Sequence, residues 1–330
     1  MNLLWFVERS NIMNIVFWGS DDFAAVHLEA LINSSHTIVA CVTRPDRPKG
    51  RGMKVIVSDV KQCALDHNVP VFQPTTLKMD AFTKKLKECK SDLFIVIAYG
   101  QFLPKAVLDI SPLGAINVHG SLLPRYRGAA PINWAIINGE EESGLSIIRV
   151  NERMDAGDIL SELPIAIMPK DTSVTLRAKM MAAGPGLLLK TINGLASDPR
   201  KWGGAPQNKD EATLAPKLTK DIGTISWDKP AVVIHNLVRG LLPWPGAYTF
   251  YEGELLKVLR TEILEENFQG RAPGTVVGID KEGISVSTGD GGVLIKEVHL
   301  QGAKAMDAYS FIVGHKICEG YQFKGQSCRN

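Results

Sequence analysis

Apolar positions in the first half of the chain follow two alternating patterns. Short unbroken runs at 14–18, 37–42, 71–72 and 93–98 predict buried strands, whereas 22–31, 58–67 and 79–89 carry helical spacing. The run at 93–98 is apolar throughout, as suits the middle of a parallel sheet. Strand and helix in alternation predict an α/β fold, a doubly wound and mostly parallel sheet with right-handed crossovers. Further along, 115–116 is a short apolar lead-in, 131–137 a helix with Pro131 in its first turn, and 145–150 a strand. A helix is expected over 172–189, capped by Asp171 or Thr172, with Gly194 closing the next turn.

The pattern then changes. Residues 198–216 are polar, with glycine and proline and little periodicity, and read as a linker. Beyond them, a helical stretch at 232–239 precedes five short strands, at 247–251, 255–259, 275–279, 284–288 and 293–298, separated by turns such as Gly289-Asp290-Gly291-Gly292. That rhythm predicts a small β-barrel of the oligonucleotide-binding kind. The expected organisation is therefore a first domain over 13–197, a linker over 198–216 and a second domain over 217–330. Met13 immediately precedes the first strand and is expected to be the natural start, with residues 1–12 an upstream extension. The apolar stretch 3–7 is short and lacks the basic start and small-residue site of a signal peptide.

The densest chemistry lies between the lead-in at 115–116 and the helix at 131, in Asn117-Val118-His119-Gly120-Ser121-Leu122-Leu123-Pro124-Arg125-Tyr126-Arg127-Gly128-Ala129-Ala130-Pro131. A strand end before a helix is the edge where open α/β sheets bind ligands. Asn117 and His119 are two apart, so on an extended chain both side chains share a face. An amide donor can hold the oxygen of a tetrahedral intermediate, and an imidazole moves protons near neutral pH. The plainer alternative has Asn117 capping a strand and His119 bonding within a turn. Two features favour chemistry. Leu122-Leu123-Pro124 puts apolar residues where a loop is ordinarily polar, as a wall for a flat ligand requires. Met154-Asp155-Ala156-Gly157-Asp158 supplies carboxylates on a turn, and Asp155 would orient the imidazole. Asp158 is equally an N-cap.

These two segments resemble the formyltransferases that use 10-formyltetrahydrofolate, and within that family the methionyl-tRNA branch, over nearly the whole chain. The resemblance implies that Asn117, His119 and Asp155 form the catalytic trio and that Ser121, Leu122, Leu123 and Pro124 line a folate site. It implies formyl transfer to the α-amine of methionine on initiator tRNA, with folate as co-substrate. Tyr99 and Gly100, at the end of the 93–98 run, would join the folate pocket, or Tyr99 would plug the sheet edge. The loop 43–54 holds Arg44, Arg47, Lys49, Arg51 and Lys54 against the single acid Asp46. A charge run of this kind is usually a solvated surface. By the resemblance it is the arm that recognises the acceptor end of the tRNA, with Arg51 on the key arginine and Arg47, Lys49 and Lys54 beside it. The family has Pro where this chain has Asp21, a departure in the first turn.

Composition narrows the picture in a few respects. With 37 Lys and Arg, 35 Asp and Glu and a formal net charge of +2, the 330-residue chain has no global field for RNA. Residues 217–330 hold 13 basic and 13 acidic side chains, so the second domain is not basic either. Five scattered cysteines (Cys41, Cys63, Cys89, Cys318 and Cys328) suit a reducing compartment, and a cytoplasmic monomer without a membrane span is expected. No metal spacing is present, and no metal is expected. Gly19-Ser20-Asp21-Asp22-Phe23 follows the first strand but lacks the later glycines of a dinucleotide fingerprint, and Asp22 reads as an N-cap. Two other readings remain: the same folate chemistry on another acceptor (an amino-sugar nucleotide, glycinamide ribonucleotide or water), and a non-catalytic RNA- or folate-binding module.

Overall fold

The computed structural model describes residues 12–49, 54–266, 268 and 270–324. Residues 1–11, and with them nearly all of the expected extension, lie outside the described part.

The chain divides into two compact units. In the first, β1 (Asn14–Gly19) buries Ile15, Val16, Phe17 and Trp18 completely because it has a strand on each side and layers on both faces. Helix α1 (Asp22–Ile32) is capped by Asp21, whose carboxylate accepts from the Ala24 N–H, so the cap sits one residue before Asp22. β2 (Thr37–Val42) pairs parallel with β1. The expected loop 43–54 contains instead a small hairpin, β3 (Arg47–Lys49) paired antiparallel with β4 (Lys54–Ile56), in which Pro48 is tolerated because the ladder has only two strands. Then come α2 (Asp59–Asp66), β5 (Val71–Phe72), α3 (Asp80–Glu88), β6 (Leu93–Ile97), the short α4 (Lys105–Leu108) and β7 (Ala115–His119).

A short strand, β8 (Arg127–Gly128), is followed by α5 (Pro131–Ile137), β9 (Glu142–Arg149) and β10 (Ile159–Ala166). The main sheet runs β10-β9-β7-β6-β1-β2-β5, parallel from β5 to β7, with β9 antiparallel to β7. From β1 the order proceeds to β2 and β5 on one side and to β6 and β7 on the other, so the topological switch lies between β1 and β6. β10 was invisible to periodicity because it is an edge strand interrupted by Pro164. Helix α6 (Ser173–Ser197) runs eight residues past the expected stop. Gly194 does not turn the chain: a Cβ there would come within 2.0 Å of the Trp202 ring, so its role is close packing inside the helix.

Residues 198–214 belong to the first unit and cross it as a strap. Ala205 and Ile159 exchange both backbone hydrogen bonds at 2.8 Å, and β11 (Leu214–Ala215) pairs with β8.

The second unit contains 128–143, 166–178 and 215–330. α7 (Ala231–Gly240) covers an antiparallel sheet of β12 (Ala247–Tyr251), β13 (Glu254–Leu264), β14 (Val276–Asp280), β15 (Gly283–Ser287) and β16 (Gly292–Leu300), in the order β12-β13-β16-β15-β14. β17 (Met306–Asp307) adds to β16, and α8 (Ala308–Gly314) follows. The segment 321–324 closes the barrel, pairing Lys324 with Phe250 of β12 and Gln322 with Thr275 beside β14. Trp227, Ile234, Val258, Val286, Ile295 and Phe311 fill its interior.

Candidate active site

β7 delivers the first two candidates. Asn117 stands between Val96 of β6 and Ile148 of β9, and His119 beside Ser146 of β9. Val118, pointing the other way, is buried. The Asn117 side chain is half-buried, and its carboxamide takes no hydrogen-bond partner among the described residues. His119 is 5% exposed.

The two imidazole nitrogens differ. Nε2 lies 2.9 Å from the Tyr126 carbonyl oxygen, which can only accept, so in the neutral ring the proton sits on Nε2. Nδ1 is then the open nitrogen, and it faces Oδ2 of Asp155 at 3.7 Å. Asp155 holds φ at +47°, a left-handed conformation that Asp tolerates better than most residues.

The loop after His119 is fixed by its own polar groups. Ser121 is fully buried and its hydroxyl donates to the Arg125 carbonyl at 2.7 Å. The Ser146 hydroxyl accepts from the Leu123 N–H at 3.0 Å and reaches the Ser121 carbonyl at 2.8 Å. Leu123 is buried, Leu122 and Pro124 are half-buried, and the Leu123–Pro124 peptide is cis. Leu122 lies against Gly144, where a Cβ would come within 2.6 Å of its Cδ2. Tyr126, with φ at +62°, donates its N–H to the Thr213 hydroxyl at 2.8 Å.

The Tyr99 ring is in the core, 1% exposed and edge-on to Trp18 at 5.3 Å between centroids. Burial pushes its phenol up to about 12, against the opposing pull of the Arg44 cation. Of the two roles open to it in the sequence, the ring occupies the plug. What this segment presents at the sheet edge is backbone: the Tyr99 carbonyl accepts from Arg44 Nε at 2.8 Å, and the guanidinium lies on Gly100, whose φ is +74°.

Arg51 lies outside the described residues, as do the side chains of Arg47, Lys49 and Lys54. The root of their hairpin is described. Lys61 pairs with Asp46 and donates to Gln73 at 2.8 Å, while Gln73 donates to Asp46 and to the Arg44 carbonyl, both at 2.8 Å. The hydrogen bond from Lys61, then that from Gln73, holds the Asp46 carboxyl below the usual carboxylate range. Asp158 places its backbone in the β9 ladder, its carbonyl accepting from the Arg149 N–H at 2.9 Å.

Two contributors escaped sequence reasoning. Gln207 donates to the carbonyls of Asp155 at 2.9 Å and Gly157 at 2.7 Å, and accepts from Arg127 Nε at 3.0 Å and Nη2 at 2.6 Å. Arg127 stood inside the motif without a role, and nothing in the aperiodic stretch around Gln207 marks it. Among the described residues, no group of three or more His, Cys, Asp or Glu side chains is placed to hold a metal ion. No described helix is long and apolar enough to cross a membrane.

Comparison with known proteins places this geometry in context. Residues 10–192 match the family model described as formyl transferase, and 217–316 the one described as formyl transferase, C-terminal domain. The chain is 43% identical over 308 residues to the methionyl-tRNA formyltransferase of Acetivibrio thermocellus, covering 93% of this chain and 98% of that protein. It is 44% identical over 310 residues to the protein of the same name from Desulforamulus reducens, covering 93% and 96%. Among solved structures, WlaRD, a sugar 3N-formyl transferase determined with dTDP and 5-N-formyl-THF, shares the fold with a TM-score of 0.64 at 17% identity, over 88% of this chain and 99% of that one. HypX from Aquifex aeolicus in complex with tetrahydrofolic acid gives 0.60 at 17% identity, over 92% of this chain and 47% of its own.

Proposed function

The chain belongs to the formyl transferase family, and from that premise we propose that it moves the formyl group of 10-formyltetrahydrofolate to the α-amino group of methionine esterified to initiator tRNA. The observation that carries the chemistry is the site on β7: an unengaged Asn117 carboxamide two residues from an imidazole whose open nitrogen faces Asp155. The acceptor follows the names of the relatives that match over 93% of the chain.

An α-amine with pKa about 7.7–8.0 is partly neutral at physiological pH, and that fraction attacks the formyl carbon without a strong base. The bond from nitrogen to carbon forms, the carbonyl pair moves onto oxygen, and the Asn117 N–H groups hold that oxyanion. The attacking nitrogen must lose one proton and the folate N10 must gain one as the carbon–N10 bond breaks. His119 Nδ1 accepts the first and returns it to the second, while Asp155 holds the transient imidazolium. The net transfer leaves no proton over. Ser121 keeps its hydroxyl within the loop, so the folate-binding role of 121–124 falls to the half-buried Leu122 and Pro124, backed by the buried Leu123, and to the backbone, with Gly100 at the neighbouring strand end. The hairpin carrying Arg47, Lys49, Arg51 and Lys54 contacts the RNA.

The test is a coupled measurement on the purified protein supplied with 10-formyltetrahydrofolate and methionylated tRNA. Tetrahydrofolate and formylmethionine released by mild base should appear one for one. Tetrahydrofolate without formylmethionine would refute the amine acceptor, and the absence of both would refute the chemistry.

A further inference from the structure

The Gln207 carboxamide is saturated. Its NH2 spends both protons, on the Asp155 carbonyl at 2.9 Å and the Gly157 carbonyl at 2.7 Å, and its oxygen accepts twice from the Arg127 guanidinium. The orientation is forced, since carbonyls only accept and a guanidinium only donates. Two of these contacts lead directly to the site. Arg127 follows Tyr126, whose carbonyl accepts from His119 Nε2, and the gripped carbonyl of Asp155 belongs to the residue whose carboxylate faces His119 Nδ1. One amide thus closes a ring that runs His119, Tyr126, Arg127, Gln207, Asp155 and back to His119.

The turn it grips does not hold its shape by residue preference alone. Asp155 sits at φ +47°, and a Cβ on Gly157 would come within 1.7 Å of the Arg149 carbonyl oxygen. The strap around Gln207 has its own anchors, backbone to backbone at Ala205 to Ile159 and from the Arg127 N–H to the Thr213 carbonyl, with the Thr213 hydroxyl accepting from the Tyr126 N–H. Gln207 is therefore not needed to attach the strap, and its donors go to the Asp155 turn.

We infer that Gln207 is a positioning residue for formyl transfer: with Arg127 it fixes the Asp155 carboxylate against the open nitrogen of His119. The inference rests on the catalytic reading of Asp155. A small misplacement of a group in a transition-state constellation costs as much as about 10²-fold in rate.

A double-mutant cycle tests it. Gln207→Leu should lower kcat by roughly 10- to 100-fold with both KM values within about twofold of the parent. In an Asp155→Asn background the same substitution should cost less than about threefold more, because nothing remains to be positioned. Gln207→Glu keeps the length and the Arg127 pairing but turns an acceptor toward two carbonyls, and it serves in the cycle if the leucine variant does not fold. It should lose kcat by a similar factor. Equal losses in both backgrounds, or wild-type kcat in Gln207→Glu, overturn the inference and leave the function standing. Near-normal turnover of Asp155→Asn alone overturns the catalytic reading of Asp155 and this inference together.

Discussion

At His119 the two ring nitrogens differ: Nε2 is held by the Tyr126 carbonyl, and Nδ1 faces Asp155 and is the nitrogen to which we assign the proton. His119→Asn keeps a polar side chain and removes proton transfer, so kcat should fall by roughly 10²–10⁴, the usual worth of a general acid–base group. Asn117→Ala removes the oxyanion donor from a side chain with no structural hydrogen bond, and should lose roughly 10²–10³ in kcat with an unchanged melting temperature. Steady-state kinetics beside thermal melts check both, and a variant that turns over normally removes its residue from the mechanism. The pair itself was legible in the sequence, because alternation along a strand puts positions 117 and 119 on one face. The working nitrogen was not. It depends on where the Tyr126 carbonyl points, which follows from that residue's φ of +62° and from Thr213, 87 positions away.

Elements carry the site as far as their packing allows. α1 presents His27, fully buried, to α6, where a Cβ on Gly184 would come within 2.3 Å of Nε2. Burial lowers the His27 imidazole from 6.5 to about 4, outweighing the opposing hydrogen bond to the Phe23 carbonyl. The unfolded chain therefore binds the extra proton between those values, and stability rises with pH across that window. Acidification from pH 6.5 to 4 should cost about 3 kcal/mol at this one position. Denaturant midpoints measured against pH should show a shallower acid slope for His27→Leu than for the parent, and an equal slope would contradict this account. The Asp155 turn has even less tolerance. Gly157→Ala drives a methyl into the Arg149 carbonyl and should cost more than about 2 kcal/mol while also lowering turnover. Strands such as β1 and β6 were legible because burial on both faces leaves an unbroken apolar run. β10, with Pro164 on a sheet edge, and the strap through Gln207 were not, since Gln207 reaches two backbone carbonyls and one guanidinium, and such contacts leave no periodic trace.

On the scale of the whole chain, RNA recognition has to come from a local cation cluster, because the net charge is only +2. In the sequence that charge gathers in 43–54, and the root of the β3–β4 hairpin is clamped by Lys61, Asp46 and Gln73. Arg51→Ala should raise KM for tRNA by about tenfold at unchanged kcat, and should reduce the salt slope of binding by roughly one. An unaltered salt slope would take Arg51 off the phosphates. The division into units was only partly legible. The barrel strands declared themselves by turn spacing, but the grouping of 128–143 with the barrel rests on contacts such as Asn133 to the Gly240 carbonyl at 2.7 Å, which no local pattern encodes.

The most direct measurement compares acceptors at fixed 10-formyltetrahydrofolate: methionylated initiator tRNA, methionylated elongator tRNA and an amino-sugar nucleotide. Rapid formylation of the initiator alone is expected, and its loss in Asn117→Ala. Transfer to the sugar amine with the initiator left unformylated would contradict the tRNA acceptor.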